Sequence, residues 1–457
     1  MRPLLQPPSS RQRQRGQILI LVGVTLVVLI GAVGLAVDLG RAYGVKARLN
    51  AAVDAAAIGA ARALAEGVDD TARIANAQAA AQRFFGLNYP ANFLASTPST
   101  PTASAVHDAS GRWTVSVSAT AQMPTTFMRV LGQTQVDVAA AGEAIRRDLD
   151  VLLVMDTSGS LAPPYSPSTV FPTLKNAAIN NFIAKFAAGP GGDRVGLVTF
   201  ASGAVLDVAI DKTSARGFNR TTVTNAINAL TAEGATASAE GLRKGMDELN
   251  AVPVALQSSL RVILFFSDGA PNLVSGTFPR SSGGPRAYNL YSDISGVATD
   301  KADWVFDQNR RNTDLGHDTT ITSLPLTGSG GVALASYNGK RTLTGSPYTN
   351  DRCNVNKAAR NMVENAANSA RGQQIRIYTI GLGNALNTLE TSFSGGNCGY
   401  TLANEQGSTI LKRLANTSDS DTLNTAHPQG LYCHAATAAD LDRCFGTIAS
   451  EILRLTL

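Results

Sequence analysis

Residues 149–160 read LDVLLVMDTSGS. Leu149 to Met155 is a short, nearly continuous apolar run, the pattern of a strand buried on both faces of a parallel sheet. It leads straight into Asp156, Ser158 and Ser160. Ligand sites in open α/β sheets form just beyond the carboxyl ends of strands. An acidic, hydroxyl-rich turn at that place supplies hard oxygen donors of the kind that suit Mg2+ or Mn2+. Short Asp/Ser turns are common, and the companions of this one further down the chain decide its meaning.

A second apolar run, Arg261-Val-Ile-Leu-Phe-Phe, ends in Ser267-Asp268-Gly269. Between the two runs lies Glu233-Gly-Ala-Thr236-Ala-Ser, a glycine-containing loop ahead of a predicted helix from Ala239 to Leu249. Two strand ends and one loop can thus bring Asp156, Ser158, Ser160, Thr236 and Asp268 to one point. This set resembles the metal-ion-dependent adhesion site of von Willebrand factor type A domains. The resemblance implies that Ser158, Ser160 and Thr236 contact the metal, with Asp156 and Asp268 bound directly or through water. One coordination position would stay open for the acidic group of a protein ligand.

The remaining pattern predicts a doubly wound, mostly parallel, Rossmann-like α/β sheet over 148–457. A helix from Thr173 to Phe186 precedes strands at Asp193–Phe200 and Ala204–Ile210. A helix from Lys357 to Ala370 leads to a strand starting at Ile375, and Leu431-Tyr-Cys-His-Ala leads to a closing amphipathic helix, Ala438 to Leu453. The segment 269–354 is an insertion rich in Gly, Ser, Thr, Asn and Arg. Because it starts right after a metal-ligand strand, it belongs on the metal face, either shaping the ligand surface or running as a loop without structure.

Upstream, Ile18 to Val37 carries no charge over about twenty residues, enough to cross a hydrocarbon core about 30 Å thick. A cleaved signal peptide is the competing reading, but its apolar region usually runs only about 7–15 residues, so a retained single-pass anchor is expected. Arg11, Arg13 and Arg15 precede the span, a weak bias toward a cytoplasmic N-terminus over 1–17, an inner-membrane anchor and a periplasmic bulk. The Ala-rich stretch after Asp38 continues as helix, Gly67 breaks it, and Asp69 or Asp70 caps the next one. Ala91 to Ser104 reads as a loop, Trp113–Ala121 and Gln135–Ile145 as strands, and Thr126–Leu131 as a short helix between them. Helix plus small sheet gives 38–147 pilin-like α+β proportions.

Arg15-Gly-Gln, the apolar span and VDLGRAYGVKARLNAAVDAAAIGAARAL resemble the N-terminal region of TadE/TadG-like proteins of the Tad (Flp) pilus-assembly system. The later stretch MPTTFMRVLGQTQVDVAAAGEAI fits the same family. Cleaved pseudopilins of that family carry a glutamate five residues after the processed glycine, whereas Leu21 stands there after Gly16. An uncleaved anchor is therefore expected. The resemblance implies the pilus machinery or pilins as partners.

Composition narrows the function. Hydrophobic residues make up 44% and charged residues 16%, too apolar for a disordered chain. A net charge of +5, without a basic stripe interleaved with aromatics, speaks against nucleic acid. Cys353, Cys398, Cys433 and Cys444 contain no C-x-x-C pair, so one or two disulfides in an oxidising compartment are expected, with connectivity open and free thiols the alternative. No P-loop, Rossmann glycine pattern or H-E-x-x-H occurs, and His107, His317, His427 and His434 lie away from the acidic loops in sequence. The expectation is therefore a non-enzymatic pilus-assembly or adhesion component. A general periplasmic scaffold or chaperone-like docking module is the alternative.

Overall fold

The computed structural model describes residues 15–66, 69–108, 112–292, 297, 299–388 and 405–456. Most of the N-terminal tail, Gly67 and Cys398 lie outside them. The chain divides into two compact units.

The first unit is built on α1 (Arg15–Ala63), a single helix of 49 residues. Its first half exposes its apolar side chains, with Leu19 at 78% and Val27 at 70%. This helix is long and apolar enough to cross a membrane. Beyond it the buried set becomes Val45, Leu49, Ala52, Val53, Ala56 and Ala60, three and four residues apart as one face of a helix requires. Small residues there admit close neighbours. A Cβ on Gly59 would lie 2.3 Å from Phe84 of α2 (Asp70–Asn88), and one on Gly142 would lie 3.1 Å from Val53. Asp69 resolves the capping alternative, since its carboxylate accepts from the Ala72 N–H at 2.8 Å.

The Ser/Thr/Pro-rich segment is not all loop. It contains β1 (Thr97–Pro98) and β2 (Thr102–His107), both beside β3 (Arg112–Pro124), which also pairs with β4 (Gln135–Arg147). Composition misled here because an edge strand tolerates proline and hydroxyl residues that a central strand does not. On β3 the alternation is as expected, with Val115, Val117, Ala119, Ala121 and Met123 buried. The short helix is one 3-10 turn, Met128–Leu131.

The second unit contains the six-stranded sheet. Its strands are β5 (Leu149–Asp156), β6 (Arg194–Phe200), β7 (Ala204–Val208), β8 (Leu260–Ser267), β13 (Ile375–Leu382) and β14 (Tyr432–Ala435), in the order β14-β13-β8-β5-β6-β7. All pairs are parallel except β6 with β7. Every residue of β5 is buried, because alternate side chains serve two cores. Leu152, Val154, Phe200, Ile263 and Phe265 face α5 (Ser238–Asn250), α6 (Arg352–Gly372) and α7 (Gly407–Ala415). Val151, Leu153, Met155, Leu264 and Phe266 face α3 (Val170–Ala177), α4 (Arg220–Asn228) and α8 (Leu441–Thr456). The helix expected at Thr173–Phe186 starts earlier, then passes through a π turn at Ala178–Phe182 and a 3-10 turn at Ile183–Lys185.

The insertion is structured. It forms a four-stranded antiparallel sheet, β12-β11-β10-β9, from β9 (Leu273–Phe278), β10 (Arg286–Tyr291), β11 (Trp304–Phe306) and β12 (Asp314–His317). Val274, Phe278, Leu290 and Val305 join the α6 side of the main core, which gives this polar segment the apolar burial it needs to fold. A disulfide joins Cys433 of β14 to Cys444 of α8, and Cys353 is also disulfide-bonded.

The far end of the insertion is held by buried charge. Arg341 pairs with Glu364 at 2.9 Å and Glu405 at 2.5 Å, while Arg413 pairs with the same two at 3.0 and 2.7 Å. Burial pushes the Glu405 carboxyl up, but the facing guanidiniums of Arg341, Arg360 and Arg413 outweigh it and hold the group at about 2. The stability Glu405 contributes is therefore fully present above the ordinary glutamate range near 4.3 and is lost as pH falls toward about 2. Glu364→Ala leaves Arg341 and Arg413 to share the Glu405 carboxylate and should lower the unfolding free energy by about 3–5 kcal/mol. Urea unfolding of wild type and variant at neutral pH checks this; equal midpoints would show that the cluster is not structural.

Candidate metal centre

Asp156 ends β5 and has no exposed surface. One carboxylate oxygen accepts from the Ser158 N–H at 2.8 Å, the other from the Ser267 hydroxyl at 2.6 Å. The Ser158 and Ser160 hydroxyls lie 3.0 Å apart, and Ser160 donates to Asp268 at 2.8 Å. Four of the five expected residues thus form one hydrogen-bonded chain across the ends of β5 and β8.

The fifth arrives on a loop stitched to the first turn. Gly159 N–H donates to Gly234 C=O at 2.9 Å and Glu233 N–H to Thr157 C=O at 2.8 Å. The approach needs glycine on both sides. A Cβ on Gly159 would lie 3.3 Å from the Gly234 carbonyl oxygen, and Gly234 has φ +87° with Ser202 Oγ 2.6 Å from where its Cβ would be. Thr236 follows, its N–H donating to the Asn272 side chain at 2.8 Å. Ser158, Ser160 and Thr236 line one open cleft of about 480 Å³.

The insertion lines the same cleft with Tyr291, Trp304, Phe306, Asn312 and Asp314. The rings form a cluster, Tyr291 standing perpendicular to Trp304 at 5.7 Å and Trp304 lying near-parallel to Phe306 at 5.6 Å. The Trp304 indole N–H donates to Asp314 at 2.8 Å. The insertion therefore contributes side chains to the cleft. Sequence reasoning missed two polar residues. Ser267 was visible in the S-D-G string but given no role, and Asn272, which sets the Thr236 loop, carried no signal.

The donor set fits a hard divalent cation. It has two carboxylates and three hydroxyls, all oxygen donors of the hard kind. Burial pushes Asp156 up to about 6. Burial, and then the neighbouring Asp156 charge, pushes Asp268 up to about 8. The protein alone leaves the pair short of positive charge, which a cation would supply. Among the described residues no histidine lines the cleft. His107 meets Asp70, His317 meets Asp303 and His434 meets the Gly383 carbonyl.

A parallel sheet with Asp/Ser turns at its carboxyl rim is the arrangement of a von Willebrand factor type A domain, and residues 151–270 match that family's model. Residues 16–63 match the model described as putative Flp pilus-assembly TadE/G-like. No curated protein matches the chain in sequence. Among solved structures, the von Willebrand factor domain of the type V pili tip protein Mfa5 from Porphyromonas gingivalis is 18% identical, with 69% of this chain and 98% of that one covered and a TM-score of 0.38. The pilus adhesin SpaC from Lactobacillus rhamnosus GG is 13% identical, over 78% of this chain and 34% of that one, with a TM-score of 0.37. Proximal thread matrix protein 1 from the mussel byssus, solved with a zinc-occupied MIDAS motif, is 14% identical over 68% and 46%, with a TM-score of 0.33.

The raised carboxylates give the site a pH signature. In chelator the folded protein binds more protons here than the unfolded chain, so this site's contribution to stability is most favourable below the ordinary aspartate range near 3.9 and falls as pH rises through about 6 to about 8. Melting temperatures in chelator should decline over that window, and Asp268→Asn should flatten the decline. Excess Mg2+ should raise the melting point of wild type more at pH 8 than at pH 5. Superimposable curves with and without metal would remove the site.

Proposed function

We propose that this chain is a non-enzymatic, membrane-anchored component of Tad (Flp) pilus assembly or surface adhesion that grips a protein partner through a metal-dependent site. The observation that carries the reading is the chain of oxygen donors from Asp156 to Asp268 opening into a cleft with Thr236. Asp156, Ser158, Ser160, Thr236 and Asp268 would hold an Mg2+ or Mn2+ ion, which when bound supplies a Lewis-acidic position for a partner's carboxylate. Three of those five ligands are uncharged hydroxyls, so the two carboxylates balance the ion's charge without exceeding it and leave it able to accept an incoming acid. The aromatic and amide side chains of the insertion then add shape and hydrogen bonding around that contact.

The N-terminal match to a pilus-assembly model supports the cellular setting. In this reading 1–17 is a cytoplasmic tail, 18–37 a single inner-membrane span, 38–147 a TadE/TadG-like region and 148–457 the A domain in the periplasm. The partner is a pilin or a protein of the assembly machinery.

Affinity capture with the full-length, detergent-solubilised protein tests this. Wild type should retain a pilus component in Mg2+ and release it in chelator, and Asp268→Ala should retain none while keeping the wild-type circular dichroism spectrum. A partner held equally in chelator, or a deletion strain with unchanged piliation and adherence, would refute the proposal.

A further inference from the structure

The stretch TTFMRVLGQT (125–134) between β3 and β4 is an unusual hairpin tip, because turns normally carry Gly, Asn, Asp, Ser or Pro rather than Phe, Met, Val and Leu. Its position in the first unit is fixed by α1. Asp38, fully buried, accepts three backbone N–H bonds from the tip, from Thr126 at 3.0 Å and from Phe127 and Met128 at 2.8 Å each. Arg41 adds a bond to the Thr126 hydroxyl at 2.9 Å. One helical turn earlier, Gly34 lies directly under Phe127, since a Cβ there would come within 2.5 Å of the Phe127 Cβ. The register of the tip against the helix is therefore Gly34 to Asp38.

That register decides what surrounds the tip. Gly34 lies inside the uncharged run Ile18–Val37, about 5 Å on its apolar side at 1.5 Å per residue. The neighbouring helix surface is bare, with Val33 63% and Val37 44% exposed. On the tip itself Val130 is 88% and Leu131 82% exposed, and Arg129 between Met128 and Val130 is exposed too. An apolar patch flush with the end of a lipid-facing helix is continuous with the surface that lipid covers. Amphipathic elements that lie in the interface bury their apolar face about 5–10 Å deep, with basic residues at the headgroups.

We propose that the β3–β4 tip is a second membrane contact, with Phe127, Val130 and Leu131 entering the acyl boundary beside the last turn of the span and Arg129 meeting anionic headgroups. This rests on reading 18–37 as a span. Asp38 acts as a positioning residue, satisfying the tip's backbone donors where water is scarce. The contact clamps the small sheet to the bilayer, so the region is held by two points rather than one.

The test uses the full-length protein in phosphatidylcholine vesicles containing phosphatidylglycerol, with an NBD fluorophore on Val130→Cys and, separately, on Leu131→Cys. Val27→Cys serves as the probe of the span and the exposed Val254→Cys as the aqueous reference, with unsubstituted protein labelled in parallel as background. Probes at 130 and 131 should emit blue-shifted light, be quenched severalfold more than 254 by lipid carrying a shallow nitroxide, and be shielded from iodide. Asp38→Ala should reduce lipid quenching at 130 and leave 27 unchanged. Iodide access at 130 and 131 equal to that at 254, with 27 still quenched by lipid, would overturn the proposal alone. A blue shift without lipid quenching would overturn it in favour of a protein covering the patch. Loss of lipid quenching at 27 as well as 130 would take the span reading down with it.

Discussion

A carboxylate with no exposed surface, Asp156, stands at the tip of a strand with no exposed residue, and the carboxyl rim of the six-stranded sheet is organised by that burial. Removing a carboxylate from water is costly unless it is paired. Its two hydrogen-bond donors, the Ser158 amide and the Ser267 hydroxyl, carry no formal charge. The deficit is passed through Ser158 and Ser160 to Asp268, so two acids share one underpaired site. Such a rim favours a small, hard cation on electrostatic grounds alone. It does so only because β5 lies between two parallel neighbours that bring a second acidic turn alongside the first.

Legibility in the sequence followed the physics of each element. The central strands β5, β6, β8 and β13 could be read because burial on both faces writes nearly unbroken apolar runs. The acidic turns could be read because they end such runs. The A-domain resemblance then united residues far apart in the chain, and the structure places four of them on one hydrogen-bonded chain with Thr236 on the same cleft wall. The insertion sheet stayed hidden because its strands are only three to six residues long and no long apolar run marks them. Helices α4 and α7 are nine residues each, too short to declare a period. The Arg341–Glu364–Glu405–Arg413 cluster was invisible for a different reason. Buried charges look like surface charges in a sequence, and only tertiary placement tells them apart.

The insertion is tied to the core at both ends. Near its start, Asn272 accepts from the Thr236 amide, and near its end Arg341 is locked between α6 and the segment entering α7. The aromatic side chains that line the cleft therefore hang between two fixed points. A ligand entering such a cleft loses less to ordering the protein than one meeting a free loop. Affinity can then rest on the contacts themselves.

The unbroken course of α1 has a mechanical consequence. At 1.5 Å per residue its 49 residues make a rod about 74 Å long, of which the part after Val37 projects about 39 Å beyond the apolar run. A rod transmits rotation and thrust, where a jointed linker would dissipate them. Any turning of its apolar half would be carried by one continuous helix to the alanine-rich end that packs against Phe84.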